Sequence, residues 1–499
     1  MKKISRTLCT ILAVLMLFSV MTAVASCKKT DNETPSDTTH TKESGTTEKT
    51  LSSLDVKDFG ATEILMLWPE YISKEGHFLY NELAIEEADA TNIIELALYS
   101  RNAAVEREYN VVITAQTQKY STIPQTIRNQ SAVGESSYGA IATVIAKMSP
   151  LALEGLLTDF NDLKYYDESQ EWWNHKVMQS LSITNKRYFG SGDIIYSDDL
   201  YPYVVYANTA LASELQIDEN FYNLVRNKEW TLEKFHELAA LAVADQDGDG
   251  EVCSSMNDRY GAVDGASFAR ALYYSAGKGV ISLDSEGYPT WEMTMTHGDM
   301  ALSKIIKTLH VDNAVVDVGT KFGAKTAIEI MNMFNSGKML FMPGDLKAAQ
   351  AFTKMDNALS DFALLPIPLW DEDSDYICVM NDAVVLGIPA MASNIEDVGL
   401  LLSAMSRESV ETLTPAFFES VLTYRYMSNP DSVEMLKLIL NSVVPRDVAD
   451  IQGWGDFMSA FCDLALANDT DFSSYYAGHI GEARAKLDEY ITQLDGINQ

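Results

Sequence analysis

The chain has 499 residues, 47% apolar and 10% aromatic, enough for a large buried core and roughly two domains. Its 71 acidic residues against 37 Lys and Arg give a formal net charge of −34. That field repels phosphate backbones and anionic bilayers, so no nucleic-acid partner is expected.

Lys2, Lys3 and Arg6 precede an apolar run from Leu8 to Val24, the layout of a signal peptide, and residues 1–26 are read as one. The run ends Val24-Ala25-Ser26-Cys27, small residues before a cysteine, which resembles the bacterial lipobox. The resemblance implies acylation of Cys27, with the lipid as the only contact to the bilayer, each buried CH₂ contributing about 0.8 kcal/mol. Residues 27–55 are read as a lipid-anchored disordered tether: Lys28 to Thr50 are almost all Lys, Thr, Asp, Glu, Ser, Pro and Gly, with little apolar area to bury. Beyond it Cys253, Cys378 and Cys462 show no CxxC or Cys/His spacing, so neither a disulfide scaffold nor zinc is expected.

In the body of the chain, Glu63 to Trp68 is an apolar run of strand length, Ile93 to Glu108 has helical spacing, Val111 to Thr114 is a second strand and Ala140 to Ile145 a third. Strand, helix, strand, helix, strand predicts a parallel sheet with covered faces. Ligands sit beyond the carboxyl ends of such strands, where Trp68 to Tyr71 and Lys147 to Ser149 fall. Tyr201 to Tyr206 is extended, with a proline near its start, as suits a segment leaving one sheet for another. Thr231 is an apt N-cap, Glu233 favours the helix start, and Trp230 stands at the staple position against Phe235. Asp361 to Pro368 is a second plausible crossing. From Asn394 onward the pattern is mostly helical, with helices around 395–406, 433–442 and 481–494.

Two sets of residues carry chemistry. Asp245-Gln246-Asp247-Gly248-Asp249-Gly250-Glu251 alternates carboxylates around glycine, as a hard oxygen-liganded cation such as Ca²⁺ requires. Met256 stands at the twelfth position of what would be an EF-hand loop, so Asp258 is the candidate closing ligand of a structural site; a solvated acidic turn is the alternative. Sugar rings stack on aromatic faces, and Trp68, Tyr71, Tyr203, Trp291, Trp370 and Trp454 are candidates, against the alternative that they are core. Gly-x-Ser-x-Gly, Walker-type loops and His-Glu-x-x-His do not occur, and no enzyme is expected.

Taken in order over roughly residues 60–465, several segments resemble the extracellular solute-binding proteins of bacterial ABC importers, family 1, carbohydrate type. They are Tyr203-Val204-Val205-Tyr206-Ala207-Asn208, Trp230-Thr231 before an acidic helix, Phe334 to Asp345 with its Gly-Lys turn, and Phe362 to Pro368 followed by Ala383 to Pro389. The resemblance implies an α/β, two-lobed, periplasmic-binding-protein-like (type II) fold with hinge strands and a helical C-terminal region. Residues 56–202 and 366–425 would form the N-terminal lobe and 203–365 with 426–499 the C-terminal lobe, with crossings near Tyr201–Tyr206 and Phe362–Pro368. It further implies a monomer outside the cell membrane that delivers a small solute, a carbohydrate first and a peptide or other solute as alternative, to ABC permease subunits; a surface glycan-processing enzyme is the further alternative. Positions that contribute polar groups in that family hold Lys147, Asp198, Gly344 and Asp345, and Trp454 falls where relatives bring a stacking aromatic into the cleft. Leu346 replaces the aromatic that sugar-binding relatives often carry after the glycine turn, a departure from maltodextrin-like specificity. Relatives also carry an Asp-rich loop before Asp-x-Tyr-Gly, here Asp258-Arg259-Tyr260-Gly261.

Overall fold

The computed structural model describes residues 54–70, 82–83, 85–263, 265–317, 321, 327–353, 355–359, 361–380, 383–422 and 430–497. The expected signal peptide, Cys27, nearly all of the tether and Tyr71 lie outside the described residues.

In chain order the main elements begin with β1 (Thr62–Glu70), α1 (Ile93–Tyr109), β2 (Val111–Lys119), β3 (Ala140–Val144), α2 (Ile145–Leu153) and α3 (His175–Ser180). Next come β4 (Tyr203–Ala207), α4 (Leu232–Ala242), β5 (Tyr260–Val263), α5 (Ala266–Tyr274), β6 (Ile281–Leu283), β7 (Pro289–Trp291), α6 (Met295–His310), β8 (Val315–Val316), β9 (Met339–Asp345) and β10 (Ala363–Leu365). The last part runs β11 (Cys378–Met380), β12 (Val384–Gly387), α7 (Ile395–Glu411), α8 (Leu413–Leu422), α9 (Pro430–Asn441), β13 (Val443–Pro445), α10 (Val448–Gln452), α11 (Phe457–Leu466) and α12 (Phe472–Ile497).

Two sheets organise these elements. The first has the order β12-β3-β1-β2, with β1 parallel to both β2 and β3 and β12 antiparallel to β3. Its helices include α1, against which α7 and α8 pack. α1 starts at Asn92, whose side chain accepts the Glu95 N–H, and stops at Asn110, whose φ of 49° is the left-handed cap that asparagine tolerates. The second sheet has the order β10-β4-β9-β5-β8, and α4 and α9 pack against its strands. Thr231 caps α4 by accepting the Lys234 N–H, and Trp230 meets Phe235 edge-on at 5.9 Å, as the sequence predicts. Apolar side chains fill both sheets: every residue of β3, β4 and β12 is buried, which is what a run of Val, Ile, Ala and Leu without polar alternation requires.

The chain enters the second sheet at Tyr203 and rejoins the first at Val384. The return falls later than the expected Phe362–Pro368. Trp230 explains the difference. It is fully buried and its indole N–H donates to Pro366 O at 2.9 Å, while Leu369 exchanges backbone hydrogen bonds with Trp230 and Leu232. Residues 366–370 are thereby bound to the second lobe, and the return passes through β11, which pairs parallel with β13 and whose Met380 bridges Pro202.

Candidate ligand-binding site

A cavity of about 430 Å³ lies between the lobes. The first lobe supplies Ile145 and Ser149 of α2, the turn from Gln179 to Ile183 after α3, and Phe189. The second supplies Tyr274 at the end of α5, the loop and hairpin from Gly277 to Pro289, Asp447 and Ile451 beside α10, and Tyr490 of α12. The lobes touch at its margins: Gln452 Nε2 donates to Ser149 Oγ at 3.1 Å and Asn185 Nδ2 to Ser285 O at 3.4 Å. Apolar and aromatic walls with interspersed hydroxyl, amide and carboxylate groups suit a ligand that has apolar faces and many hydroxyls.

Asp447 is the hub of the second-lobe wall. Its Oδ1 caps α10 by accepting the Asp450 N–H at 3.0 Å, and its Oδ2 accepts Val280 N–H at 2.7 Å and Tyr274 O–H at 3.0 Å. Burial, together with the Asp450 carboxylate, pushes the Asp447 carboxyl up to about 6, against the pull of these hydrogen bonds. Asp450 behind it is gripped by Arg446 Nε and Nη2 at 2.8 Å each and also accepts from Tyr274 O–H at 3.2 Å, while Arg270 Nε lies 3.2 Å away. Gly279 makes the close approach possible: a Cβ there would lie 2.4 Å from Asp447 Oδ2.

None of the seven described residues among those expected to bind ligand lines this cavity. Lys147 sits between Ile145 and Ser149 on α2, partly exposed. Trp454 is buried, with its ring 5.2 Å from Tyr490 and its N–H donating to Gln452 Oε1 at 3.0 Å, so it backs the cavity wall rather than forming it. Trp68 is 1% exposed and presents no open face for a ligand to stack on. Tyr203, Gly344 and Asp345 are brought together, since Tyr203 pairs with Asp345 and Val204 with Gly344 in the β4–β9 ladder. Leu346, next in the chain, is buried in the core. Asp198 lies elsewhere, in a groove shared with Asp193 and Asp199. Ser149, which lines the cavity, falls in the Lys147–Ser149 segment expected at a strand end, whereas Tyr274 and Asp447 were missed; the nearest signal was the glycine-rich stretch Gly277-Lys278-Gly279, which marks the tight approach but not its purpose.

The acidic loop holds itself closed. Asp245 accepts the N–H groups of Gly248 and Gly250, and the buried Asp258 accepts those of Gln246, Ser254 and Ser255, which hold its carboxyl below the usual range despite burial. Carboxylate oxygens of Asp245, Asp247 and Asp258 lie within 4.8 Å of one another. That hard-oxygen set fits Ca²⁺. Asp249 turns away to accept the Ser254 hydroxyl, and Glu251 is exposed outside the group.

No protein-family model and no curated protein matches the sequence. Solved structures do match. An ABC substrate-binding protein from Listeria monocytogenes in complex with cycloalternan is 14% identical, with a TM-score of 0.50 over 88% of this chain and 98% of its own. A cyclo/maltodextrin-binding protein complexed with maltotetraose is 10% identical, with a TM-score of 0.54 over 90% and 99%. A sugar transporter protein from Rhizobium etli in an open conformation is 12% identical, with a TM-score of 0.54 over 87% and 99%. With its two sheets, its crossings and these likenesses, the chain has the two-lobed α/β, periplasmic-binding-protein-like fold.

Proposed function

We propose that the chain is the substrate-binding subunit of an ABC importer, held outside the cell membrane by a lipid on Cys27, that takes a small carbohydrate into the interlobe cavity and passes it to permease subunits. The observation that carries this reading is the cavity itself, walled by both lobes of a fold whose solved examples include proteins holding cycloalternan and maltotetraose. Closure of two hinged lobes over a ligand gives the permease a shape to distinguish from the empty receptor. A receptor needs no catalytic group, in keeping with the absence of catalytic motifs in the sequence. Among the described residues no helix is long and apolar enough to cross a membrane. The Asp245–Asp247–Asp258 group would hold a structural Ca²⁺ on the second lobe.

Calorimetry and thermal denaturation against a panel of oligosaccharides, monosaccharides and peptides test the reading. A true ligand at about a hundred times its Kd raises stability by about 2.7 kcal/mol. Such a rise with a sugar and no released product supports the receptor. Product release points to an enzyme, and a response to peptides alone replaces the carbohydrate.

A further inference from the structure

Two tight turns from opposite lobes meet at the rim of the interlobe cavity. In the first lobe, Ile183 and Lys186 exchange backbone hydrogen bonds at 3.1 and 2.9 Å, and the residues between them, Thr184 and Asn185, have φ of 47° and 61°. This is the paired left-handed geometry of a two-residue hairpin turn. Asn185 O is pinned from behind by Asn161 Nδ2 at 3.1 Å and Arg187 Nη1 at 3.2 Å. In the second lobe, Asp284 to Tyr288 join β6 to β7. Asp284 N–H donates to Tyr288 O at 2.9 Å, its Oδ1 accepts the N–H groups of Glu286 and Tyr288 at 2.9 Å each, and the Tyr288 hydroxyl donates to Asp495 of α12 at 2.9 Å. Each turn is thus held in shape by its own lobe.

Where they meet, backbone faces backbone. Gly287, with φ of 79°, is buried although Ser285 and Glu286 beside it are exposed. A Cβ there would lie 2.6 Å from Asn185 N and 2.9 Å from Thr184 Cα. Those are main-chain atoms of a pinned turn, and they cannot swing aside as the end of a flexible side chain can. The side-chain hydrogen bond across the join, Asn185 Nδ2 to Ser285 O, is long at 3.4 Å. Asn185, Asp284 and Gly287 all line the cavity, so shape rather than charge governs the contact at its edge.

We propose that the two turns form a clasp, that closure of the lobes over a solute ends in their contact, and that Gly287 is the residue that permits it. The clasp rests on the receptor reading for what it encloses. Two rigid surfaces in close contact have no room for an added methyl group, so a side chain at position 287 holds the lobes ajar. The contact belongs to the shut form and not to an open one. It therefore favours the shut form, and its loss speeds release of solute more than it slows capture.

Crosslinking of the full chain tests this without any solute. Lys186→Cys with Ser285→Cys puts one thiol on each turn, while Cys253, Cys378 and Cys462 are buried. A short bifunctional maleimide joins the pair when the lobes are shut, and peptide mapping by mass spectrometry follows the rate. Gly287→Ala should slow the joining by about tenfold or more, the effect of overpacking a close contact. Gly337→Ala is the control: Gly337 has a similar φ of 73° but nothing within 4 Å of its Cβ, so the variant carries the backbone cost alone and keeps the parent's rate. Asn185→Gly removes only the long hydrogen bond and should also keep it. No joining in the parent pair, an equal rate in Gly287→Ala, or an equal slowing by Gly337→Ala or Asn185→Gly would each overturn the clasp. A chain that joins as expected yet responds to no saccharide keeps the clasp and loses the carbohydrate; one that binds a saccharide but fails these rates loses the clasp alone.

Discussion

Asp447→Asn isolates the electrostatics of the cavity wall. In the folded chain the Asp447 carboxyl holds its proton up to about pH 6, against an ordinary 3.8. The fold thus binds this proton more tightly than the unfolded chain does. The stabilisation that results is complete below about pH 4 and is lost as pH rises through 6. A difference of about two pH units at about 1.4 kcal/mol each gives about 3 kcal/mol. That is a ceiling, because Asp447 is only partly buried and faces the cavity. Asparagine cannot ionise, and it keeps one oxygen to share among the Val280, Tyr274 and Asp450 donors, so its own cost, about 1–3 kcal/mol for the donor left unpaired, is nearly independent of pH. The variant should therefore be less stable than the parent in acid, and the gap should close by up to about 3 kcal/mol by neutral pH. Urea denaturation of both proteins at a series of pH values measures this; parallel stability curves would refute the reasoning.

Gly279→Ala should destabilise by about 1–3 kcal/mol, because its Cβ collides with Asp447 Oδ2 and Ile281 O, and should weaken solute binding together with the melting temperature. Chelation of Ca²⁺ should lower the melting temperature, with Asp258→Ala abolishing the calcium response; unchanged melting on chelation would remove the metal from the acidic loop. Cys27→Ala should give protein that is not acylated and not retained on membranes, seen by labelled-lipid incorporation and fractionation.

The local grammar of the fold was legible in the sequence where one signal dominated. The apolar runs at Glu63–Trp68 and Ala140–Ile145 and the periodicity of Ile93–Glu108 correspond closely to β1, β3 and α1. Trp230-Thr231 announced α4 through staple and cap. The return crossing was misplaced because Pro-terminated extended chain looks alike whether it changes lobes or stays, and the Trp230–Pro366 hydrogen bond that decides the matter joins residues far apart in sequence. Only one wall of the cavity was legible, Ser149 at the end expected of the third strand; Tyr274 and Asp447 come from two distant segments and share no motif. Aromatic residues misled in the opposite direction, since Trp68 and Trp454 have the chemistry to stack on a sugar but are spent on packing.

The antiparallel pairing of β12 with β3 sets a timetable for the newly made polypeptide. Until synthesis has delivered Val384 to Gly387, one border of the first sheet stays bare, and α7 is not yet there to lie against α1. The amino-terminal half therefore cannot reach its final form as it emerges.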